Sequence, residues 1–155
     1  MVFRPYQVGS DSVQIPLILD LIRQAFAYME GRIDPPSSML RLDVGSIRTH
    51  CETGEVWAIG TPPQACIFLT WKPDRLYLGK LAVSPAVQGQ GLGRQMIEVA
   101  ARRARETGVG VLELETRVEL TENHSAFARL GFEKTAETAH PGYDRPTSIT
   151  MQRQI

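Results

Sequence analysis

The amino-acid sequence predicts an α/β protein, a mixed sheet of about seven strands flanked by about four helices. Three observations carry that prediction. The run "ACIFLTW" from Ala65 to Trp71 is apolar almost throughout, as expected of a strand covered on both faces. Two stretches, one within residues 11–29 and one from about Gly91 to Thr107, repeat apolar residues at helical spacing. The second of these lies between the strand-like segments "LYLGKLAV" and "VGVLELET", and it is long enough for a crossover between parallel strands.

The elements follow in order. "VFRPYQV" reads as the first strand. Asp11 or Ser12 caps a helix whose stripe is Ile18, Leu21, Ile22, Ala25, Phe26 and Met29. Pro16 falls in its first turn, where a missing N–H is harmless. "GRIDPPSS" breaks the pattern, and Ser37 or Ser38 caps a second helix carrying Leu40, Val44 and Ile47. "EVWAIG", a Pro62-Pro63 turn, "ACIFLTW", a turn over Lys72-Pro73-Asp74-Arg75 and "LYLGKLAV" make an antiparallel meander. In the crossover helix Leu92, Met96, Val99, Ala100 and Ala104 face inward, Arg102, Arg103 and Arg105 outward, and Gly108 ends it. Along "VGVLELET", Leu112 and Leu114 face one way and Glu113 and Glu115 the other. Thr121 caps a short helix, "ENHSAFARL", that stops at Gly131. "FEKTAETA" and "TSITMQR", joined through Pro141-Gly142, close the sheet as a hairpin.

At 155 residues the chain fits a single domain, residues 1–155, large enough to bury a core. Lys+Arg and Asp+Glu are equal at 17 each, which argues against nucleic acid or an anionic membrane as the general partner. Cys51 and Cys66 form no CxxC pair and have no histidine cluster nearby, so they read as small buried apolar residues, and no metal site is expected. Gly9, Asp11 and Pro16 interrupt any N-terminal signal core, and no stretch approaches the ~20 apolar residues of a membrane span. A cytoplasmic protein without a membrane partner is the expectation.

Gln88-Gly89-Gln90-Gly91-Leu92-Gly93-Arg94 stands immediately before the crossover helix. Glycine normally weakens a helix start through its backbone entropy, so three at alternate positions call for a reason. A helix N-terminus offers unpaired N–H groups and a positive dipole end, and glycines let a bulky anion lie against them. Arg94 adds a charge. A P-loop needs Lys and Ser or Thr after its last glycine, but Arg94-Gln95 follow here. A dinucleotide fingerprint needs GxGxxG, and the spacing here is one residue short, although Glu113 lies about 20 residues on. The pattern Gln/Arg-x-x-Gly-x-Gly/Ala is met in full.

At these residues the chain resembles the GNAT superfamily of acetyl-CoA-dependent N-acetyltransferases. "LYLGKLAVSPAVQGQGLGRQMI" resembles the superfamily's acyl-CoA motif, and "LELETRVELTENHSAFARLGFEK" its strand–helix–Gly-Phe motif. The resemblance implies a GNAT-like, splayed sheet and acetyl-CoA as acyl donor. It implies that the "LAV" strand, Leu81, Ala82 and Val83, pairs with the pantetheine arm through its main chain. It further implies that the amides of Gln88, Gly89, Gln90, Gly91, Leu92, Gly93 and Arg94 cradle the pyrophosphate, with Asn123 and Phe127 flanking the far end.

Amide formation needs a neutral amine, and an alkyl amine with a pKa near ~10.4 is mostly protonated at neutral pH. A general base must take that proton, and a backbone N–H in the "LAV" strand would stabilise the oxyanion. Many family members carry a tyrosine acid four residues before Gly-Phe, and here that position is Phe127. Some carry a glutamate in the strand before "LAV", where this chain has Gly79 and Lys80. The favoured substitutes are Glu115 as base and Tyr143, in "HPGYDRP", as acid; Glu113, Tyr77, His124 and His140 rank below them. Asp34, with Glu30 nearby, is the candidate to attract a cationic acceptor, and Phe26, Tyr28 and Trp71 to line its pocket. The expected activity is acetyl transfer to an amine of a small molecule or a protein, with a homodimer admitted. The rival readings are a non-catalytic acyl-CoA-binding module and a nucleotide-binding oxidoreductase.

Overall fold

Alternation of apolar residues to two sides of one strand sets the architecture. In the computed structural model, which describes residues 4–155, the strand Ala65–Trp71 (β3) sends Ala65, Ile67 and Leu69 into one buried cluster and Cys66 and Phe68 into another. The sheet therefore has a core on each face. Before it come β1 (Tyr6–Gln7) and β2 (Glu55–Ile59), after it β4 (Leu76–Val83), β5 (Val111–Arg117), β6 (Glu133–Thr138) and β7 (Ser148–Gln154). Their order is β1-β2-β3-β4-β5-β7-β6. The β4–β5 pair is parallel and the others are antiparallel. The meander, the crossover and the closing hairpin thus match expectation, with β7 placed against β5 and β6 outside it. Of the predicted first strand, Val2 and Phe3 lie outside the described residues.

One face is covered by α3 (Leu92–Glu106), which buries Leu92, Met96, Val99, Ala100 and Ala104 as its periodicity requires. Its arginines divide: Arg102 and Arg105 are exposed, whereas Arg103 turns back to Glu55 at 2.7 Å. The other face is covered by α1 (Ile15–Ala25) and α2 (Val44–Thr53). Helix α4 (Thr121–Arg129) follows β5 and has no fully buried residue, though Phe127 leans on the core beside Phe132.

Four helix boundaries differ from the sequence reading. Helix α1 stops at Ala25, so Phe26 caps it and Met29 belongs to a 3-10 turn over Ala27–Met29. Its start is Ile15, and Ser12 does not cap it: its hydroxyl accepts from the Gln14 amide and its carbonyl from the Ile15 amide. Ser37 does cap, but it caps a 3-10 turn over Ser38–Arg41 on which Leu40 is 69% exposed. Helix α2 begins afterwards, with a reciprocal cap between Asp43 and Ser46. That cap competes with the serines for the same helix, and two satisfied donors outweigh one. Thr121 is the first residue of α4 and not its cap, a place taken by Leu120 without a side-chain bond.

Candidate active site

The site begins where β4 and β5 stop pairing. Their register runs Leu76↔Leu112, Tyr77↔Glu113 and Leu78↔Leu114, and no further. Immediately beyond, β4 bulges: Phe68 opposes Gly79 and Cys66 opposes Ala82, leaving Lys80 and Leu81 against Ile67. Lys80 takes a left-handed φ of 48° to do this. A bulge bends its strand away from the sheet, and here it turns the end of β4 from β5. From Gly79 to Val83 the main-chain edge facing β5 has no strand partner among the described residues.

At the end of that edge the chain passes through a short turn, Pro85–Val87, into the glycine loop. Gly89 and Gly91 have φ of 83° and 82°, the left-handed region that disfavours a Cβ. A Cβ at either would meet nothing within 4 Å, so tight packing is not what keeps them small. At Gly93 it would sit 3.8 Å from Val83 Cγ2, an ordinary contact. Gly91 caps α3 without a side-chain bond, and the first main-chain bond of the helix start runs from the Gln95 N–H to the Gly91 carbonyl. Among the described residues, the amides of Gln88 to Arg94 donate to no protein acceptor. They form a group of free donors at the positive end of a helix of 15 residues.

Two clefts meet at the splay. One, of about 640 Å³, is lined by Leu81, Val83 and the glycine loop on one side and by Asn123 and Phe127 on the other. It gathers the predicted residues Gln88, Gly89, Gly91, Leu92, Gly93 and Arg94. Ala82 is not brought there, because its side chain alternates to the opposite face and is buried on the α1–α2 side. Gln90 is exposed outside the lining. Asn123 donates to the Tyr28 hydroxyl at 3.1 Å, and Phe127 packs edge-on against Phe132.

The second cleft, about 760 Å³, lies across the Leu81–Phe127 wall and is lined by Tyr77, Lys80, Glu115, Arg117 and Tyr143 among others. Both predicted catalytic residues are therefore on it. Glu115 is exposed at the end of the β5 alternation and has no ion-pair partner among the described residues. Glu113, two residues earlier, is not a solvated strand position. It is 8% exposed, held by Arg75 at 3.0 Å and by the Gln152 amide at 2.8 Å. Tyr143 donates to Asp34 at 2.6 Å, and that bond, with partial desolvation and the Asp34 charge, raises its pKa above the usual tyrosine value. Asp34 also takes Arg145 at 3.1 Å, so its charge is already countered and is not free to draw in a cation.

Tyr77 is not a core residue; it lines the cleft, and burial with the charges of Glu115 and Glu113 pushes its hydroxyl up to about 12. Of the aromatic candidates, Phe26 and Tyr28 border both clefts, while Trp71 lies elsewhere beneath Arg103. His124 bonds the Arg117 carbonyl at 2.8 Å, and His140, beside Tyr143, lines the second cleft. Sequence reasoning missed Lys80 and Arg117. Arg117 was accessible by continuing the alternation Glu113–Glu115–Arg117. Lys80 was hidden, because a bulge has no signal in a two-residue period.

The segment between α1 and α2 crosses the opening as a strap. Arg32 pairs with Glu122 at 2.7 Å, the Asp34 amide donates to Glu119 at 3.0 Å, and Arg117 donates to the Pro35 carbonyl at 2.7 Å. With Tyr28–Asn123 and Tyr143–Asp34, this ties the strap to β5, α4 and the β6–β7 loop.

A splayed mixed sheet whose opening runs up to an uncapped, glycine-lined helix start defines a class: an α/β protein with an open strand edge leading to a cluster of free main-chain donors. Comparison with known proteins narrows it. The model of the "Acetyltransferase (GNAT) family" matches residues 44–132, more than half of the sequence, and the chain belongs to that family. It is 31% identical over 112 residues to a thialysine N-epsilon-acetyltransferase of Bos taurus. That match spans 63% of this chain and 65% of the relative. An acetyltransferase structure from Streptococcus agalactiae superposes with a TM-score of 0.77 at 17% identity, over 99% of this chain and 98% of the other. A GNAT family acetyltransferase from Elizabethkingia anophelis, solved with acetyl-CoA bound, gives 0.70 at 17% identity, over 99% and 98%. At such identities the two structures speak to the fold, which they share. Among the described residues no helix is long and apolar enough to cross a membrane.

Proposed function

We propose that residues 1–155 form one domain that moves an acetyl group from acetyl-CoA to the amine of a small molecule or protein by direct attack. The observation that carries this reading is the run of unpartnered amides from Gln88 to Arg94, aligned with the unpaired edge of β4. A diphosphate satisfies donors that would otherwise need water, and each charge-assisted bond contributes roughly 1.5–3 kcal/mol. The pantetheine arm then continues along Leu81 to Val83, between the strands, toward the second cleft. Asn123 and Phe127 border its path.

The amine attacks from the second cleft. Its nitrogen forms the new C–N bond, the thioester C–S bond breaks, the departing sulfur carries the electron pair, and the amine gives up a proton. Glu115 is the acceptor of that proton in this reading, since it is the unpaired carboxylate on the cleft. Tyr143 is the group that returns a proton to the thiolate in this reading; its hydroxyl, protonated at neutral pH as tyrosines ordinarily are, turns from Asp34 to do so. An N–H of the unpaired β4 edge faces the oxyanion as charge develops. A cytoplasmic location belongs to the same reading and suits the two free thiols, Cys51 and Cys66.

The test is release of free CoA from acetyl-CoA on mixing with a panel of amines, read with a thiol reagent. Amine-dependent release supports acetyl transfer. Saturable CoA binding with no release for any amine would leave a binding module in its place. A response to NADH and none to CoA would favour an oxidoreductase.

A further inference from the structure

Cations without a carboxylate partner occur elsewhere among the described residues, but Arg4, Arg23, Arg48, Arg94, Arg105 and Arg129 are exposed and Lys72 lies over the Tyr77 ring, whereas Lys80 and Arg117 are half-buried on the second cleft. Arg32, Arg75, Arg103, Arg145 and Arg153 each meet a carboxylate within 3.1 Å. Lys80 and Arg117, both half-buried and on opposite sides of the splay, meet none among the described residues. The Lys80 ammonium touches the Ser38 hydroxyl at 3.3 Å, and the Arg117 guanidinium donates to the carbonyls of Pro35 and Pro36 at 2.7 and 3.1 Å. These partners are neutral. The two cations are also near enough to act on one another: burial, and then the charge of Arg117, hold the Lys80 pKa below its ordinary value. Arg41 lines the same cleft without a carboxylate partner. Against these three cations stands one unpaired carboxylate, Glu115, since Asp34 is engaged by Tyr143 and Arg145.

Like charges brought together and partly desolvated are unfavourable unless an opposite charge joins them. We infer that the acceptor carries an anionic oxygen group, carboxylate or phosphate, beside its amine, and that Lys80 and Arg117 bind that group while Glu115 faces the amine. This rests on the acetyltransferase reading and gives it a substrate class. A polycationic acceptor is disfavoured by the same arrangement, because its additional charges would meet Lys80 and Arg117. Arg117 has a second duty, since it also holds the strap through Pro35 and Pro36.

The experiment is calorimetry of matched ligands on the CoA-loaded protein. Glycine, β-alanine and lysine are each compared with the amine left when the carboxyl group is removed, and O-phosphoethanolamine is compared with ethanolamine. The inference expects the anionic member of at least one pair to bind about 10- to 100-fold tighter, the ratio that one charge-assisted contact supplies. The first three pairs report a carboxylate and the last a phosphate. Lys80→Gln is expected to bring the preferred pair within about twofold, with CoA affinity unchanged. Equal or tighter binding of the members without the anionic group, no binding by either member of every pair, or an undiminished preference in Lys80→Gln would each overturn it. Failure of the protein to bind CoA at all would refute the acetyltransferase reading itself, a result distinct from each of these.

Discussion

Replacing Gly91 with aspartate places a negative charge at the start of α3 without crowding it. A Cβ there meets no atom within 4 Å, and φ is 82°, so the substitution strains the backbone but displaces no neighbour. Asparagine suffers the same strain, about 1–2 kcal/mol for a left-handed non-glycine residue, and carries no charge. The pair Gly91→Asp and Gly91→Asn therefore isolates electrostatics. A carboxylate about 5 Å from a bound diphosphate, at an effective dielectric of 20–40, repels each unit of charge by roughly 2–3 kcal/mol. For a single unit of charge that corresponds to a loss of about 30- to 150-fold in CoA affinity for Asp relative to Asn, a lower bound because the diphosphate carries a second charge. Isothermal titration with CoA measures it, and thermal melts of both variants check that they remain equally folded. Equal CoA affinity in the two variants would refute the placement of the diphosphate.

The remaining predictions concern the chemistry and the frame. Glu115→Gln is expected to lower turnover by about 10²- to 10⁴-fold, the usual worth of a general base, with acetyl-CoA affinity retained; steady-state kinetics checks both. Tyr143→Phe should also cut turnover and leave acetyl-CoA affinity alone, and unchanged turnover would remove Tyr143 from the reaction. Arg103→Met should destabilise the fold by about 2 kcal/mol, because Glu55 is left mostly buried without its bidentate partner. For Glu55, burial alone would raise the pKa, but the bonds from Arg103 and Trp57 outweigh it and hold the value low. A lowered carboxylate pKa adds stability above its unfolded value of about 4.3, and that stability is lost as pH falls through the folded value. Denaturant titrations should accordingly show the wild-type advantage over Arg103→Met at pH 7 and its shrinkage below about pH 4.

Much of this could be read from residues alone, and the exceptions have physical causes. The apolar run 65–71, the α3 stripe and the hairpin residues were legible because each follows a fixed period or a fixed turn chemistry. The glycine loop was legible because left-handed positions leave a compositional trace at Gly89 and Gly91. Helix starts were less so: Ser37, Ser38 and Asp43 are all good caps, and only the reciprocal bond to Ser46 separates them. Glu113 and Glu115 look alike in sequence. One is buried against Arg75 and the other lies open, because the sheet is closed at Leu78 and splayed beyond it. Lys80 depended on the bulge, and the engagement of Asp34 on residues over 100 positions away, Tyr143 and Arg145. Such long-range pairings have no local signature.

Placement of the diphosphate on the glycine-loop amides is tested most directly by following backbone amide resonances of the ¹⁵N-labelled protein during titration with CoA and, separately, with pantetheine, which lacks the diphosphate. CoA is expected to move the amide signals of Gly89, Gly91, Gly93 and Arg94 strongly, and pantetheine mainly those of Leu81 and Val83. Large CoA-induced shifts elsewhere, with the glycine-loop amides unmoved, would contradict that placement.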